Sequence, residues 1–282
     1  MSAVATSTAS VEQAPLHKPN KKWTRFILPV YTWLMILYLA LPVFVMILYS
    51  FNDIPGERMT PKFWGFTLHW WQDLFGVAGL TDALKTSLTV APISAIVATA
   101  LGTLLGLALG RYRFRGHGGV NFVIFLAIAI PEIVLGSSLL SMFVLAKEIP
   151  IGLTTILLSH IGFSIRFVAV TVRARVQGLD RSLEDAAQDL FADPVTTFFN
   201  VTLPLIAPAI LAGFLLAFVL SLDDFVITNF VSGTTATFPI WVFGATRIGL
   251  PPQVNVMGTI LFSAGIVAAV ANVIVQRRRR RA

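Results

Sequence analysis

Long apolar runs dominate this chain, in place of the strict alternation of a half-buried strand. A helix needs about 20 mostly apolar residues to cross the hydrocarbon core of a bilayer. Six stretches qualify or nearly qualify: 26–50, 84–110, 120–146, 153–172, 204–222 and 254–275. The first is too long for the apolar core of a signal peptide and is followed by no small-residue cleavage site, so it reads as a retained helix. Ala, Ser, Thr and Pro crowd the first 20 residues, a composition that predicts disorder. The pattern predicts an all-α membrane protein with six transmembrane helices. A basic tail covers 1–25, the membrane domain 26–276, with a cytoplasmic loop at 173–203, and a second basic tail 277–282.

Composition supports that class. Of 282 residues, 56% are hydrophobic and only 12% charged, about half of what a soluble domain carries. The net charge of +7 matters through its placement. With the N-terminus cytoplasmic, fifteen Lys and Arg residues fall inside: Lys18, Lys21, Lys22, Arg25, Arg111, Arg113, Arg115, Arg173, Arg175, Arg181 and Arg277 to Arg281. Five fall outside or at outer helix ends: Arg58, Lys62, Lys85, Lys147 and Arg247. Basic residues mark the cytoplasmic side, so both termini are placed there. The terminal arginine run directly follows a span and reads as an anchor to anionic lipid headgroups, not a nucleic-acid tail. Trp64, Trp70 and Trp71, with His69 beside them, read as residues of the outer interface.

Several chemistries are missing. Cysteine is absent, which excludes disulfides and thiolate sites. No phosphate-binding G-x-x-x-x-G-K-[ST] loop occurs, so ATP hydrolysis belongs to another chain or not at all. The four histidines are scattered and no G-x-S-x-G elbow is present, which argues against zinc and serine hydrolases.

The loop at 173–203 carries helix signals of its own. Ser182 with Asp185 three residues on approximates a capping box, predicting a short helix to Leu190. Asp193-Pro194 restarts a second helix, Asp as cap and Pro at the first helical position, which ends before Leu203-Pro204. Two readings fit the acids and aromatics of this loop: a handle for a cytoplasmic partner, or an interfacial helix with Phe198 and Phe199 dipping into lipid.

Here a family resemblance emerges. Asp185-Ala186-Ala187, three residues, Phe191, nine residues, then Val201-Thr202-Leu203-Pro204 resembles the EAA loop of binding-protein-dependent ABC importer permeases. Their pattern is E-A-A, three residues, G, nine residues, I-x-L-P. The segments Tyr49-Ser50-Phe51-Asn52, Arg111-Tyr112-Arg113-Phe114-Arg115-Gly116, Ile130-Pro131-Glu132-Ile133 and Ser221-Leu222-Asp223-Asp224-Phe225 are similar to the spermidine/putrescine branch. The resemblance implies a type I importer permease (MetI-like) fold and an EAA loop that docks on an ATPase. Glu184, Asp185, Ala186, Ala187, Phe191, Leu203 and Pro204 would then form the coupling element. Asp185 replaces Glu, with Glu184 beside it to compensate. Phe191 replaces a glycine whose left-handed conformation costs a Cβ-bearing residue about 1–2 kcal/mol, so the turn is either rebuilt or strained.

Ionisable residues within spans are costly and mark functional candidates. Glu132 follows Pro131, about 18 Å from the inner end of its span at 1.5 Å per residue, beside a break that suits a cavity wall. Asp223 and Asp224 lie near the outer end of the fifth span. On a helix, neighbours point in different directions, so one can bind substrate while the other caps the next helix. Acids at these places are implicated in amine recognition by the resemblance, and separated anionic sites suit an extended polycation. Tyr49, Phe225 and Trp241 are candidate cation–π partners, though packing explains them as well. Arg166 is read as snorkelling to the cytoplasmic face, His160 as a hydrogen-bonding packing residue. Gly102, Gly106 and Gly110 suit close helix approach, to the partner permease among others.

The resemblance implies the permease subunit of an ATP-driven polyamine importer, not itself an enzyme and without a cofactor of its own. ATP and Mg would be bound by the partner ATPase. Its partners would be a second homologous permease, a cytoplasmic ATPase dimer, an external solute-binding protein and membrane lipid, with no nucleic acid. The rivals are a permease of the same family for another small cation, and an ion-coupled transporter or channel that works without an ATPase.

Overall fold

The computed structural model describes residues 24–56 and 58–279. Nearly all of the first basic tail and half of the second, including Lys18, Lys21, Lys22, Arg280 and Arg281, lie outside the described residues. Among those described the chain is helical, with one isolated bridge between Asn52 and Phe66. The helices are α1 (Thr24–Tyr49), α2 (His69–Gln72), α3 (Leu80–Arg111), α4 (His117–Ala129), α5 (Glu132–Ala146), α6 (Leu153–Gln177), α7 (Ser182–Asp189), α8 (Pro194–Thr197), α9 (Leu203–Asp223), α10 (Val226–Val231), α11 (Phe238–Ile248) and α12 (Gln253–Arg279).

Among the described residues, four helical rods are long and apolar enough to cross a membrane: Phe26–Tyr49, Leu80–Arg111, Leu153–Gln177 and Pro194–Asp223. The pair α4 and α5 makes a fifth if counted as one span. Its halves are bent by 107°, so the expected single helix over 120–146 is replaced by two. The cause is Pro131, which has no N–H to give the helix and drives the residue before it out of the helical region. Ile130 accordingly sits at φ −67°, ψ 128° and Pro131 at φ −60°, ψ 137°. A depth for Glu132 counted along a straight helix therefore does not hold.

The expected stop before Leu203-Pro204 is absent as well. The α8 helix runs into α9 through a π-helical turn at Phe198–Thr202. Pro204 cannot donate to the carbonyl four residues back, and the wider turn absorbs that loss without ending the rod.

The helices α3, α6 and α9 form the central core, around Ala95, Val168, Val172, Val176, Ile206 and Ala217. Gly102, Gly106 and Gly110 make this approach possible: an added Cβ would come within 2.6 Å of Val168 Cβ, 2.8 Å of the Ala169 carbonyl and 2.8 Å of Val176 Cγ1. This glycine stripe thus serves α6 of the same chain, not a partner permease. By contrast, α1 is exposed along most of its apolar surface and meets the rest mainly at α12, where Met46 Sδ lies over Gly258. Such a helix is covered by lipid or by another chain. On the segment between α1 and α3, Trp70 is buried and donates from Nε1 to the Asn52 carbonyl at 2.9 Å. It is a core residue of this cap and not an interfacial one; Trp64 is exposed, with Lys62 4.0 Å above its ring.

Candidate substrate and coupling sites

Pro131 places Glu132 in the first turn of α5, where its carboxylate is exposed. Asp223 ends α9 and is exposed too. The α10 helix that follows Asp223 packs on α5, where Gly136 lies against Phe230 and Ile227, so Glu132 and Asp223 stand on neighbouring elements. Thus two exposed acids some ninety residues apart in sequence are carried by adjoining elements of the fold.

Asp224 turns the other way. Its side chain is only 6% exposed and caps α10, accepting the Thr228 N–H at 2.8 Å and, more weakly, the Ile227 N–H at 3.4 Å. The Thr228 hydroxyl donates to the same Oδ2 at 2.6 Å. His160, wholly buried on α6, bonds Thr228 Oγ1 through Nε2 at 2.8 Å and Ser221 Oγ through Nδ1 at 2.7 Å. Ser221 Oγ is in turn 2.9 Å from Ser94 Oγ on α3. One polar chain thereby ties α3, α6, α9 and α10 together. The adjacent acids divide their work by direction, one outward and one as a cap.

Arg166 does not snorkel. It is 6% exposed, donates from Nη1 to the Ala127 carbonyl, and stacks over Phe167 and Phe163, its Cζ 5.0 and 5.9 Å from the ring centroids. Ala127 is four residues before Pro131, so its carbonyl is the one the proline leaves without a donor. The guanidinium supplies that donor across the helix interface.

The loop at 173–203 is pinned to the Arg111 end of α3. Glu184 pairs with Arg111 and accepts the Thr202 hydroxyl at 2.6 Å, while Arg181 Nη2 donates to the Arg111 carbonyl at 3.1 Å. Burial pushes the Glu184 carboxyl up, but the hydrogen bonds from Arg111 and Thr202 outweigh it and hold the group below the ordinary glutamate range. Glu184 is therefore spent inside the chain and does not stand in for Asp185, which faces outward with Ala186. Ala187 and Leu203 are half-buried and Pro204 exposed.

Ser182 is not the cap of α7. Asp180 Oδ1 accepts the Ser182 N–H at 3.0 Å, and Arg181 occupies the cap position. Asp193 does cap α8, accepting Val195 N–H at 3.2 Å and Thr196 N–H at 3.4 Å, with Pro194 following. Between them Phe191 sits at φ +61° and is 99% exposed. The Ala192 N–H reaches the Ala187 carbonyl at 3.1 Å and the Phe191 N–H the Gln188 carbonyl at 2.9 Å. The left-handed turn that suits glycine is thus kept, with a phenylalanine strained into it.

The aromatic candidates are engaged in packing. Tyr49 donates its hydroxyl to the Pro61 carbonyl at 2.5 Å, Phe225 lies 4.6 Å from Phe243, and Trp241 donates to the Ala78 carbonyl at 3.3 Å. The reading of His160 as a hydrogen-bonding packing residue holds, though its partners were not named, and sequence reasoning missed the Arg166 bond. The signals were small polar residues at Ser94, Ser221 and Thr228 within apolar spans, and the spacing of Ala127 from Pro131.

Comparison with known proteins now places this architecture. A family model described as "binding-protein-dependent transport system inner membrane component" matches residues 102–281. The putrescine transport system permease protein PotI of Escherichia coli K12 is 41% identical, over 83% of this chain and 85% of that protein. The spermidine/putrescine transport system permease protein PotC of the same strain is 38% identical, over 85% and 90%. Among solved structures, a chain of a bacterial ABC transporter involved in the import of the acidic polysaccharide alginate shares the fold. Its TM-score is 0.62 at 15% identity, covering 94% of this chain and 99% of that one. The chain belongs to the family of binding-protein-dependent transport system inner-membrane components, and is a multi-pass ABC importer permease, not an enzyme.

Proposed function

We propose that this chain is the permease subunit through which putrescine, spermidine or a similar polyamine passes into the cytoplasm. The observation that carries the reading is the exposure of Glu132 and Asp223 on adjoining elements, α5 and the end of α9, with the next residue, Asp224, turned inward as a cap. Two outward carboxylates at the break of one span and the end of another suit the separated ammonium groups of an extended polycation. The names borne by the two E. coli relatives support the same cargo.

The membrane path consists of six spans: α1, α3, the bent pair α4–α5, α6, the α8–α9 rod and α12, whose 27 residues suffice to cross. Both termini are cytoplasmic, on the distribution of basic residues. A second, homologous permease covers these exposed acids, and an external binding protein delivers the cargo. Two copies of an ATPase, which bind ATP and Mg, engage the loop at Asp185, Ala186, Ala187 and Phe191. Their closure moves α7, and through the Glu184–Arg111 pair the inner end of α3. Putrescine- and spermidine-stimulated ATP hydrolysis by the reconstituted importer tests this, with Glu132→Gln and Asp223→Asn alongside. Stimulation that collapses in both variants is expected. Stimulation by another solute but not by polyamines would leave the importer and refute the cargo.

A further inference from the structure

A cavity of about 1000 Å³ lies at the Leu80 end of α3, opposite the end that Arg111 shares with the loop at 173–203. Its walls come from 53–58, from 69–78 and from α11 with the turn that follows it. Backbone bonds tie these walls down. Asn52 donates from Nδ2 to the Lys62 carbonyl at 2.9 Å and accepts the Trp64 N–H at 2.7 Å, and the Met59 N–H reaches the Leu250 carbonyl at 2.8 Å. The cavity is thus pre-formed, as small-molecule sites commonly are.

Its lining has a consistent chemistry. Asp53 and Asp73 stand exposed in it, and among the described residues neither forms an ion pair, although Arg58 lines the same cavity. Trp70 and Trp241 line it too; their N–H groups go to the Asn52 and Ala78 carbonyls, so what they offer is ring surface. Gln253, 4% exposed, reaches the Asp73 carbonyl with Nε2 at 3.4 Å, while its buried Oε1 has no partner among the described residues. Unpaired carboxylates, indole surface and an open amide acceptor match an alkylammonium group, which carries charge, donates hydrogen bonds and is drawn to aromatic rings. The position fits as well. Trp241, Gly244, Ala245 and Ile248 recur at helical spacing and give α11 one face on the cavity. Phe243, off that face, lies 4.6 Å from Phe225, which follows Asp223 and Asp224 in the chain. A single helix separates the cavity from those acids.

We propose that this cavity is a second amine site on the entry side of the permease, holding an ammonium end of the cargo before it reaches Glu132 and Asp223. The nature of the amine rests on the polyamine reading above, and the entry side on the distribution of basic residues. Arg58 opposes a cation in the same wall and keeps the hold weak, as a passing cargo requires.

The test uses the absence of cysteine from the chain. A side chain added at Gly244 meets nothing within 4 Å, so Gly244→Cys places one thiol in the cavity lining. The importer complex in proteoliposomes is treated from outside with a membrane-impermeant thiol reagent, and labelling of this chain is timed with putrescine, spermidine or sodium chloride at matched ionic strength. Both amines should protect Gly244→Cys and leave a Lys85→Cys control unprotected. Asp53→Asn and Asp73→Asn should each raise the half-protecting concentration about tenfold, the size of one charge-assisted hydrogen bond. Arg58→Gln should lower it, a gain that a misfolded wall would not produce. No protection by either amine, equal protection by sodium chloride, or an unchanged half-protecting concentration in both asparagine variants would overturn the site. Putrescine uptake is measured on the same importer with the external binding protein and ATP added. Uptake without protection would refute this site and leave the cargo reading; protection without uptake would support the site and refute that reading.

Discussion

Phe191 is where sequence and geometry conflict most openly, and replacing it separates two effects. The residue holds φ +61° with its side chain 99% exposed. A Cβ in that conformation costs about 1–2 kcal/mol, and in the free chain no burial offsets the cost. Strain is present whether or not an ATPase is bound, so it governs the stability of the turn and not the affinity. Affinity depends on the ring: fully burying a phenylalanine contributes about 1.5–3 kcal/mol, or roughly 10- to 100-fold in Kd. Phe191→Gly relieves the strain and removes the ring; Phe191→Ala removes the ring and keeps most of the strain. Hydrogen exchange at the Ala192 amide, which bonds the Ala187 carbonyl, should slow about 5- to 30-fold in the glycine variant. In the alanine variant it should stay near the original rate. ATPase association, measured with purified permease and ATPase, should weaken about 10- to 100-fold in both. Unchanged ATPase affinity in Phe191→Ala would refute the ring's placement in the interface and favour a ring resting on lipid. Unchanged exchange in Phe191→Gly would refute the strain argument.

Other expectations follow from the same geometry. The Glu184 carboxyl is held below its ordinary value of 4.5 in the folded loop, so its contribution is fully present above that pH and is lost as pH falls through the depressed value. Because the chain has no cysteine, a spin label on Gln188→Cys reports this directly: the label should gain mobility as pH drops below 4.5, and should already be mobile at pH 7 in Glu184→Gln. Arg166→Met removes the donor from the Ala127 carbonyl and should destabilise the α4–α5 break by about 1–3 kcal/mol. A lower melting temperature and a broadened distance distribution between labels on α4 and α5 would report it, and an unchanged distribution would sink the idea.

Much of this architecture was legible because hydropathy in a bilayer is a strong constraint: the apolar runs became α1, α3, α6, α9 and α12 within a few residues of their expected ends. The third run was not read correctly, because a hydropathy window sees 120–146 as continuous and only the missing N–H of Pro131 divides it. Asp193 announced its cap through the proline that follows it, whereas Ser182 falls inside its helix behind Arg181 at the cap position, its N–H taken by Asp180 two residues upstream. That competition is decided by loop geometry, not by residue type. Glu132, Asp223 and Asp224 stood out as acids in apolar surroundings, yet which of the adjacent pair faces outward depends on the contacts of Thr228 and His160. Arg166 was misplaced because its partner is a backbone carbonyl, which carries no side-chain signature.

The central claim is that two outward acids on this chain hold the amines of a polycation in transit. Uptake of labelled putrescine should be measured in proteoliposomes containing the whole importer with ATP on the ATPase side, comparing Glu132→Gln, Asp223→Asn and the double variant. The account predicts a raised KM in each single variant and near-complete loss in the double, with ATPase assembly intact. Putrescine uptake in the double variant equal to that of the unaltered importer would contradict it.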